Sequence, residues 1–331
     1  MKITLKHKYA NVFIEDIPSG KNKIHVTLLN NDLFMPINTC ETSYPIELID
    51  KILNVKGPNY LCDEILRDES PEYVQRYLKY ALLSYLERQD FKNKRLLDFG
   101  CGSGSSTMVL GRMFPQTEIV AIELEEKLLS VSKARANHYG YENMEFMISP
   151  STDKLPPNIG CFDYVVLSAV YEHFLPLERK ILLPEIWRIL KPGGILFLNQ
   201  TPNRYFPVEF HTTSGLPFIN YLPDEVAHYY AQHFSKRKLK SSSWEELLRS
   251  GIRGGSIKEI FNILNSCSQK PILLNPYGFG NIDRIDIWDI ETDIRFTILK
   301  KLFLFSAKFL RFLTGITMIP RLDIAIKKSE I

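Results

Sequence analysis

The chain has 331 residues, of which 45% are apolar and 24% charged, and carries a formal net charge of +3. Such a length holds one large domain with additions, or two domains. The composition is that of an ordinary globular protein, and the weak positive balance gives no case for nucleic acid as a partner.

Residues 1–60 mix short apolar runs with turn residues and read as an irregular or β-rich lead-in. The first residues, Met1-Lys-Ile-Thr-Leu-Lys-His-Lys8, lack an apolar h-region, so no signal peptide is expected. Ser70 suits an N-cap and Pro71 a first helical position, which predicts a helix reaching Leu86. A buried strand then runs from Arg95 to Asp98 and Phe99. It is followed by Gly100-Cys101-Gly102-Ser103-Gly104, and a helical pattern begins at Thr107. The run Thr117 to Ile122 reads as a second strand, ending in Glu123. Leu124, Leu128 and Val131 mark a helix that closes near Gly140. Residues 144–148 and 162–167 read as further strands, 185–190 as helical, 191–194 as a turn and 194–198 as a fifth strand. Strands alternating with helices predict a doubly wound α/β fold with a mostly parallel sheet. The ligand crevice of such a sheet lies beyond the carboxyl ends of its strands.

The glycine loop decides which ligand. Glycines allow backbone to approach a ligand without Cβ interference, and the helix that follows presents unpaired N–H groups. Dinucleotide folds use G-x-G-x-x-G, whereas here the order is G-x-G-x-G and Ser105 stands in the third glycine's place. Asp98 precedes the loop by two residues, and a carboxylate there suits a cationic or hydroxyl-bearing ligand better than a diphosphate. Glu123 is placed to accept hydrogen bonds from ribose hydroxyls. Cys101 reads as a small residue in a tight loop. The five cysteines (Cys40, Cys62, Cys101, Cys161 and Cys267) contain no C-x-x-C pair and predict a reducing compartment.

These motifs, with Phe162–Phe174 (FDYVVLSAVYEHF) and Glu185–Leu198 (EIWRILKPGGILFL), resemble a class I S-adenosylmethionine-dependent methyltransferase. The resemblance is close over about residues 90–200. It implies a Rossmann-like, seven-stranded sheet whose last two strands form an antiparallel pair, for which 271–275 and 322–326 are the candidates. The chain divides accordingly into an N-terminal extension (1–69), a cofactor-binding core (70–200), an inserted substrate cap (201–270) and C-terminal strands with an amphipathic helix (271–331). The resemblance places S-adenosylmethionine against Asp98, Gly100, Cys101, Gly102, Gly104, Glu123 and Leu124, with Asp98 on its amino group. Ser168 and Ala169 would floor the methyl group. The acid that holds the adenine amino group in many relatives is replaced by Ser151, with Asp153 or a backbone group as the substitute.

Some relatives bind a divalent cation through E-x-x-E-H after the fourth strand. Here Ala169 replaces the first acid, leaving Glu172 and His173, with His211 as the one obvious outside helper. No metal is expected from two ligands. His173 is the candidate base for a hydroxyl acceptor and Glu172 its neighbour, with Tyr205, Glu209 and His211 as weaker candidates across the cleft.

The cap is rich in aromatics, from Tyr205 and Phe206 through Phe210, Phe218 and Tyr221 to Phe234. Its His228 and His233 read as ordinary packed or surface histidines. Residues 298–319 alternate Leu302, Phe305, Phe309 and Phe312 with Lys300, Lys301, Lys308 and Arg311. Charges interrupt the stretch too often for a membrane span. The pattern leaves three partners open: the chain's own sheet, a second copy in a homodimer, or a membrane surface. The [DNS]-P-P-[YFW] motif of base-amino methylation is absent after the fourth strand. The expected activity is methyl transfer to a small-molecule, glycan-precursor or lipid-linked acceptor, most readily at oxygen, in the cytoplasm or at a membrane's edge. Two other readings stay open: a cofactor-binding regulatory or assembly module, and an NAD-dependent dehydrogenase.

Overall fold

The computed structural model describes residues 2–29, 34–209, 211, 213–237, 239–292 and 297–330. Phe210 lies outside them. The chain opens with a four-stranded antiparallel meander: β1 (Lys2–His7), β2 (Ala10–Asp16), β3 (Asn22–Leu28) and β4 (Thr39–Thr42). Every second residue of β2 and β3 is buried, Ala10, Val12 and Ile14 facing Ile24 and Val26. Period-two burial on one face is what an antiparallel sheet with one solvated side requires. Two helices follow, α1 (Ile46–Lys56) and α2 (Leu61–Glu69).

The helix expected from Ser70 begins later. Ser70 is extended (φ −92°, ψ 121°) and closes α2, and α3 spans Val74–Leu83. The physical reason is Pro71, whose ring excludes the preceding residue from the α region.

The core sheet has seven strands in the order β10-β11-β9-β8-β5-β6-β7. Its strands are β5 (Arg95–Phe99), β6 (Glu118–Glu123), β7 (Met144–Ile148), β8 (Phe162–Ser168), β9 (Leu190–Pro202), β10 (Pro271–Leu273) and β11 (Arg321–Lys328). Strands β5 to β9 are parallel, and β11 runs antiparallel to both β9 and β10. The fold is therefore the Rossmann-like class I arrangement, and the antiparallel pair falls on the two segments expected. The turn at 191–194 is drawn into β9, with Gly193 at φ +76°. Helices α4 (Ser105–Met113), α5 (Glu126–Tyr139) and α6 (Pro176–Ile189) cover the sheet. Helix α4 starts two residues before the expected Thr107, directly after Gly104. Leu97, Val165 and Leu198 build the core on one face, and Leu96, Val166 and Phe197 on the other.

The meander and the first two helices pack as one apolar cluster that ends on Val131 of α5. The cap contains α7 (Asp224–Phe234), α8 (Trp244–Arg249) and α9 (Ile257–Leu264), with a small core of Leu216, Ile219, Ala227, Ala231 and Leu247. Helix α10 (Arg284–Glu291) precedes α11 (Ile298–Thr314). Helix α11 packs on α10 through Phe303, Leu304 and Ala307. Its cations are turned to acids of that neighbour: Lys300 to Asp289 and Lys308 to Asp286, each at 2.5 Å, and Arg311 to Asp283. The opposite face is bare, with Phe305 70% and Phe312 86% exposed. No helix among the described residues is long and apolar enough to cross a membrane.

Candidate active site

The parallel sheet reverses its strand order between β5 and β8, and the glycine loop leaves β5 at that point. Two of its glycines are dictated by neighbours. A Cβ on Gly100 would stand 2.9 Å from a methyl of Val170, and one on Gly104 would stand 2.9 Å from backbone Cα of Ser132. Both also have positive φ, +70° and +89°. The loop is thus wedged between α5 and the segment that follows β8.

Two cavities flank the loop and share Lys56, Gly100, Gly102 and Ala169. The first, about 650 Å³, is walled by Phe99, Ile122, Leu124 and Leu128, with Glu123, Ser149 and Ser151 as polar groups. His173 and Arg249 stand at its far side. The second, about 490 Å³, is lined by Tyr73, Tyr77, Cys101, Ser106, Ser168 and Gln200. Two non-glycine residues here hold left-handed backbone, Ala169 (φ +54°) after β8 and Gln200 (φ +62°) in β9. Such strain persists only where packing enforces it, and it gathers at functional sites.

The acids of the loop are heavily used. Glu123 accepts the amide of Gly102 at 2.8 Å through one oxygen, and those of Leu124 (2.7 Å) and Glu125 (3.2 Å) through the other. It braces the loop while its side chain faces the first cavity. Asp98 is buried beneath the loop and lines neither cavity. Its Oδ2 accepts the hydroxyls of Ser106 (2.8 Å) and Thr107 (2.7 Å). Burial pushes its carboxyl up to about 6, against the opposing pull of those two hydroxyls. Gly104 likewise acts through packing, and Asp153 lies outside the first cavity, accepting the hydroxyl of Ser151 at 2.6 Å.

One acid escaped sequence reasoning. Glu64, from α2, reaches under the loop and accepts the hydroxyls of Ser103 and Ser105. It is paired with Arg135 of α5 at 3.1 Å and with Lys56 at 3.4 Å. Burial alone would raise the Glu64 carboxyl, but Arg135 and Lys56 outweigh it and hold the group below its ordinary value. The N-terminal extension is therefore part of the cofactor loop. Tyr73 and Tyr77 beside it were also missed, being two tyrosines in an ordinary helical pattern.

At the junction with the cap, Glu172 is fully buried on a 3₁₀ turn (Tyr171–His173). One oxygen accepts the hydroxyl of Thr201 at 3.0 Å, and the other has no hydrogen-bond partner. Burial raises its pKa. His173 places Nδ1 2.6 Å from the carbonyl of Arg249, and His211 comes from the cap with Nε2 3.9 Å from the free oxygen of Glu172. Burial, followed by the neighbouring His173, lowers His211 to about 4. The structure thus brings Glu172, His173 and His211 together. Glu209 does not join them, because its carboxylate takes Ser214 and Gly215 of its own loop, and Tyr205 lines neither cavity. His228 and His233 bond the carbonyls of Ser242 and Tyr229.

The two cavities meet at the loop, both are lined in part by hydroxyl and carboxylate groups, and together they leave room for one long polar ligand. Nothing stands within 4 Å of where a Cβ on Gly102 would project, so backbone lies open to such a ligand at the junction. Residues 97–198 match the methyltransferase domain family. Similar curated proteins include malonyl-[acyl-carrier protein] O-methyltransferase of Bacillus anthracis, 27% identical over 50% of this chain and 56% of its own length. Demethylmenaquinone methyltransferase of Lactococcus lactis is 28% identical over 39% and 53%. Ubiquinone biosynthesis O-methyltransferase of Coxiella burnetii is 28% identical over 50% and 67%. The chain spans about half the length of the first of these relatives. Strand order, glycine loop and matched core agree that residues 97–198 form a methyltransferase domain of the class I, S-adenosylmethionine-dependent type.

Proposed function

We propose that the protein transfers a methyl group from S-adenosylmethionine to an oxygen of a small-molecule, glycan-precursor or lipid-linked acceptor. The observation that carries this reading is the meeting of two cavities at Gly100, Gly102 and Ala169, with Glu172, His173 and His211 beyond one wall. When bound, the cofactor supplies a methyl group already activated on a sulfonium. The protein's task is then alignment, which supplies most of the rate in such a displacement. Glu123, Ser149 and Ser151 would hold the nucleoside end, and Tyr73, Tyr77, Ser106 and Gln200 the amino-acid end. A hydroxyl acceptor has to lose its proton, and the lone pairs suited to that work belong to the Glu172, His173 and His211 cluster.

Two of the relatives are O-methyltransferases by name, which supports oxygen as the acceptor atom. The bare apolar face of α11 supports a lipid-linked acceptor presented at a membrane surface. The test is label transfer from methyl-labelled S-adenosylmethionine into extracted metabolites and lipids, with mass spectrometry for a gain of one methylene. A chain that binds S-adenosylhomocysteine yet labels nothing would be a binding module, and the reading would fall.

A further inference from the structure

The cluster beside the first cavity has an unusual balance of donors and acceptors. A carbonyl can only accept, so His173 Nδ1, 2.6 Å from Arg249 O, carries the proton, and its Nε2 keeps a lone pair. Thr213 gives its hydroxyl proton to Ser250 O at 2.5 Å, so its oxygen accepts from His211 Nδ1 at 3.1 Å. His211 Nε2 therefore also keeps a lone pair. It faces the unpartnered, fully buried Oε1 of Glu172 across 3.9 Å. That gap is too long for a hydrogen bond and about twice a zinc–ligand bond of roughly 2 Å.

One ligand atom from each of Glu172, His173 and His211 lies within 4.8 Å of the others. The nearby guanidinium groups do not supply the missing positive charge, since Arg249 is paired with Glu178 and Arg179 with Glu259. Gly251 makes the approach feasible. A Cβ there would stand 3.0 Å from the His211 ring and 3.1 Å from Glu172 Cγ.

We propose that Glu172, His173 and His211 form a binding site for one divalent transition-metal ion of the zinc type. Two imidazoles and one carboxylate are a donor set that zinc takes with a position left open for a further ligand. His173 also lines the first cavity, so the ion would sit at the edge of that cavity. There the ion would hold an acceptor oxygen and ease the loss of its proton, in place of a free base among the three side chains; that use rests on the methyl-transfer reading, whereas the site itself rests on these side chains alone. The sequence pattern argued against a metal because Ala169 replaces an acid. The third ligand arrives instead from the cap.

The test uses the full chain, stripped by chelator and titrated with Co²⁺, with Zn²⁺ as competitor. The expected result is one equivalent of Co²⁺ with visible d–d absorption, displaced by Zn²⁺. His211→Ala and Glu172→Gln should each weaken binding tenfold or more, while His228→Ala leaves it unchanged. Should Glu172→Gln fail to fold by circular dichroism, His211→Ala and His173→Asn decide the matter. Absence of saturable binding, or wild-type affinity in His211→Ala, would overturn the site. Titration with S-adenosylhomocysteine in the metal-free chain keeps the two readings apart. Nucleoside binding without metal binding defeats only this inference, and metal binding without nucleoside binding defeats only the methyl-transfer reading.

Discussion

On the glycine-loop side of the cleft the acids are already committed. Glu64 takes two serine hydroxyls and Arg135, Asp98 takes Ser106 and Thr107, and Glu123 takes three amides. Arg135 Nε is the exception, a buried donor left without a partner. Beyond β8 and β9 the situation is reversed. Glu172 Oε1, Tyr171 Oη, both amide atoms of Asn199 and Asp323 Oδ2 are buried with no hydrogen-bond partner among the described residues. Unmet polar atoms are costly and rare in native interiors. The cofactor loop is thus preassembled by the chain itself, whereas these atoms of the far side find no hydrogen-bond partner among the described residues.

That contrast can be broken at several points. Removing Glu64 should be the most damaging. Glu64→Ala leaves the fully buried Arg135 uncompensated, and chemical denaturation should show a loss of about 3–5 kcal/mol. A loss below 1 kcal/mol would mean that the loop does not depend on the extension.

Asp98 comes next. Its folded carboxyl is raised to about 6, so the native state holds a proton more tightly than the unfolded chain does. Stability of the wild type then falls as pH rises from about 4 to 6, and the deficit is complete above that window. Asp98→Asn removes the buried charge and should gain on the wild type across the same window, by up to roughly 3 kcal/mol at pH 7. A gap that does not change between pH 4 and pH 7 would show that Asp98 is not carrying a raised pKa.

On the far side, His173→Ala should lower turnover about a hundredfold in the label-transfer assay with cofactor affinity unchanged. An equal loss of affinity would move His173 to the cofactor half. The smallest effect is expected at Glu123. Glu123→Ala should weaken S-adenosylhomocysteine binding by about 1–3 kcal/mol in calorimetry, through a loosened loop and a lost carboxylate.

Much of the core was legible because its strands are buried on both faces. Leu96, Val120, Val165 and Leu196 fall within short apolar runs that leave little choice of structure. The N-terminal meander was read only as a β-rich extension, although Ala10, Val12, Ile14, Ile24 and Val26 carry a clear period of two. At Ser70 a good capping residue lost to the proline after it. Asp98 was read as facing the ligand, and the sequence could not show that Ser106 and Thr107 turn back to cover it. Glu64 was beyond local reasoning, because it enters its site across a tertiary contact that neither spacing nor periodicity encodes, whereas His211 was named as an outside helper without its partners.

The reach of Glu64 also separates the unit of kinship from the unit of folding. Residues 97–198 are what the chain shares with the methyltransferase domain family. The anion that steadies their glycine loop is supplied from α2, inside the stretch that a boundary at residue 70 would discard. Shortened versions of this protein trimmed to the shared segment would keep every recognisable motif and lose the buttress that sets the loop's shape. Where one begins to cut therefore decides whether the nucleoside cradle is inherited ready-made or has to be induced by its own ligand.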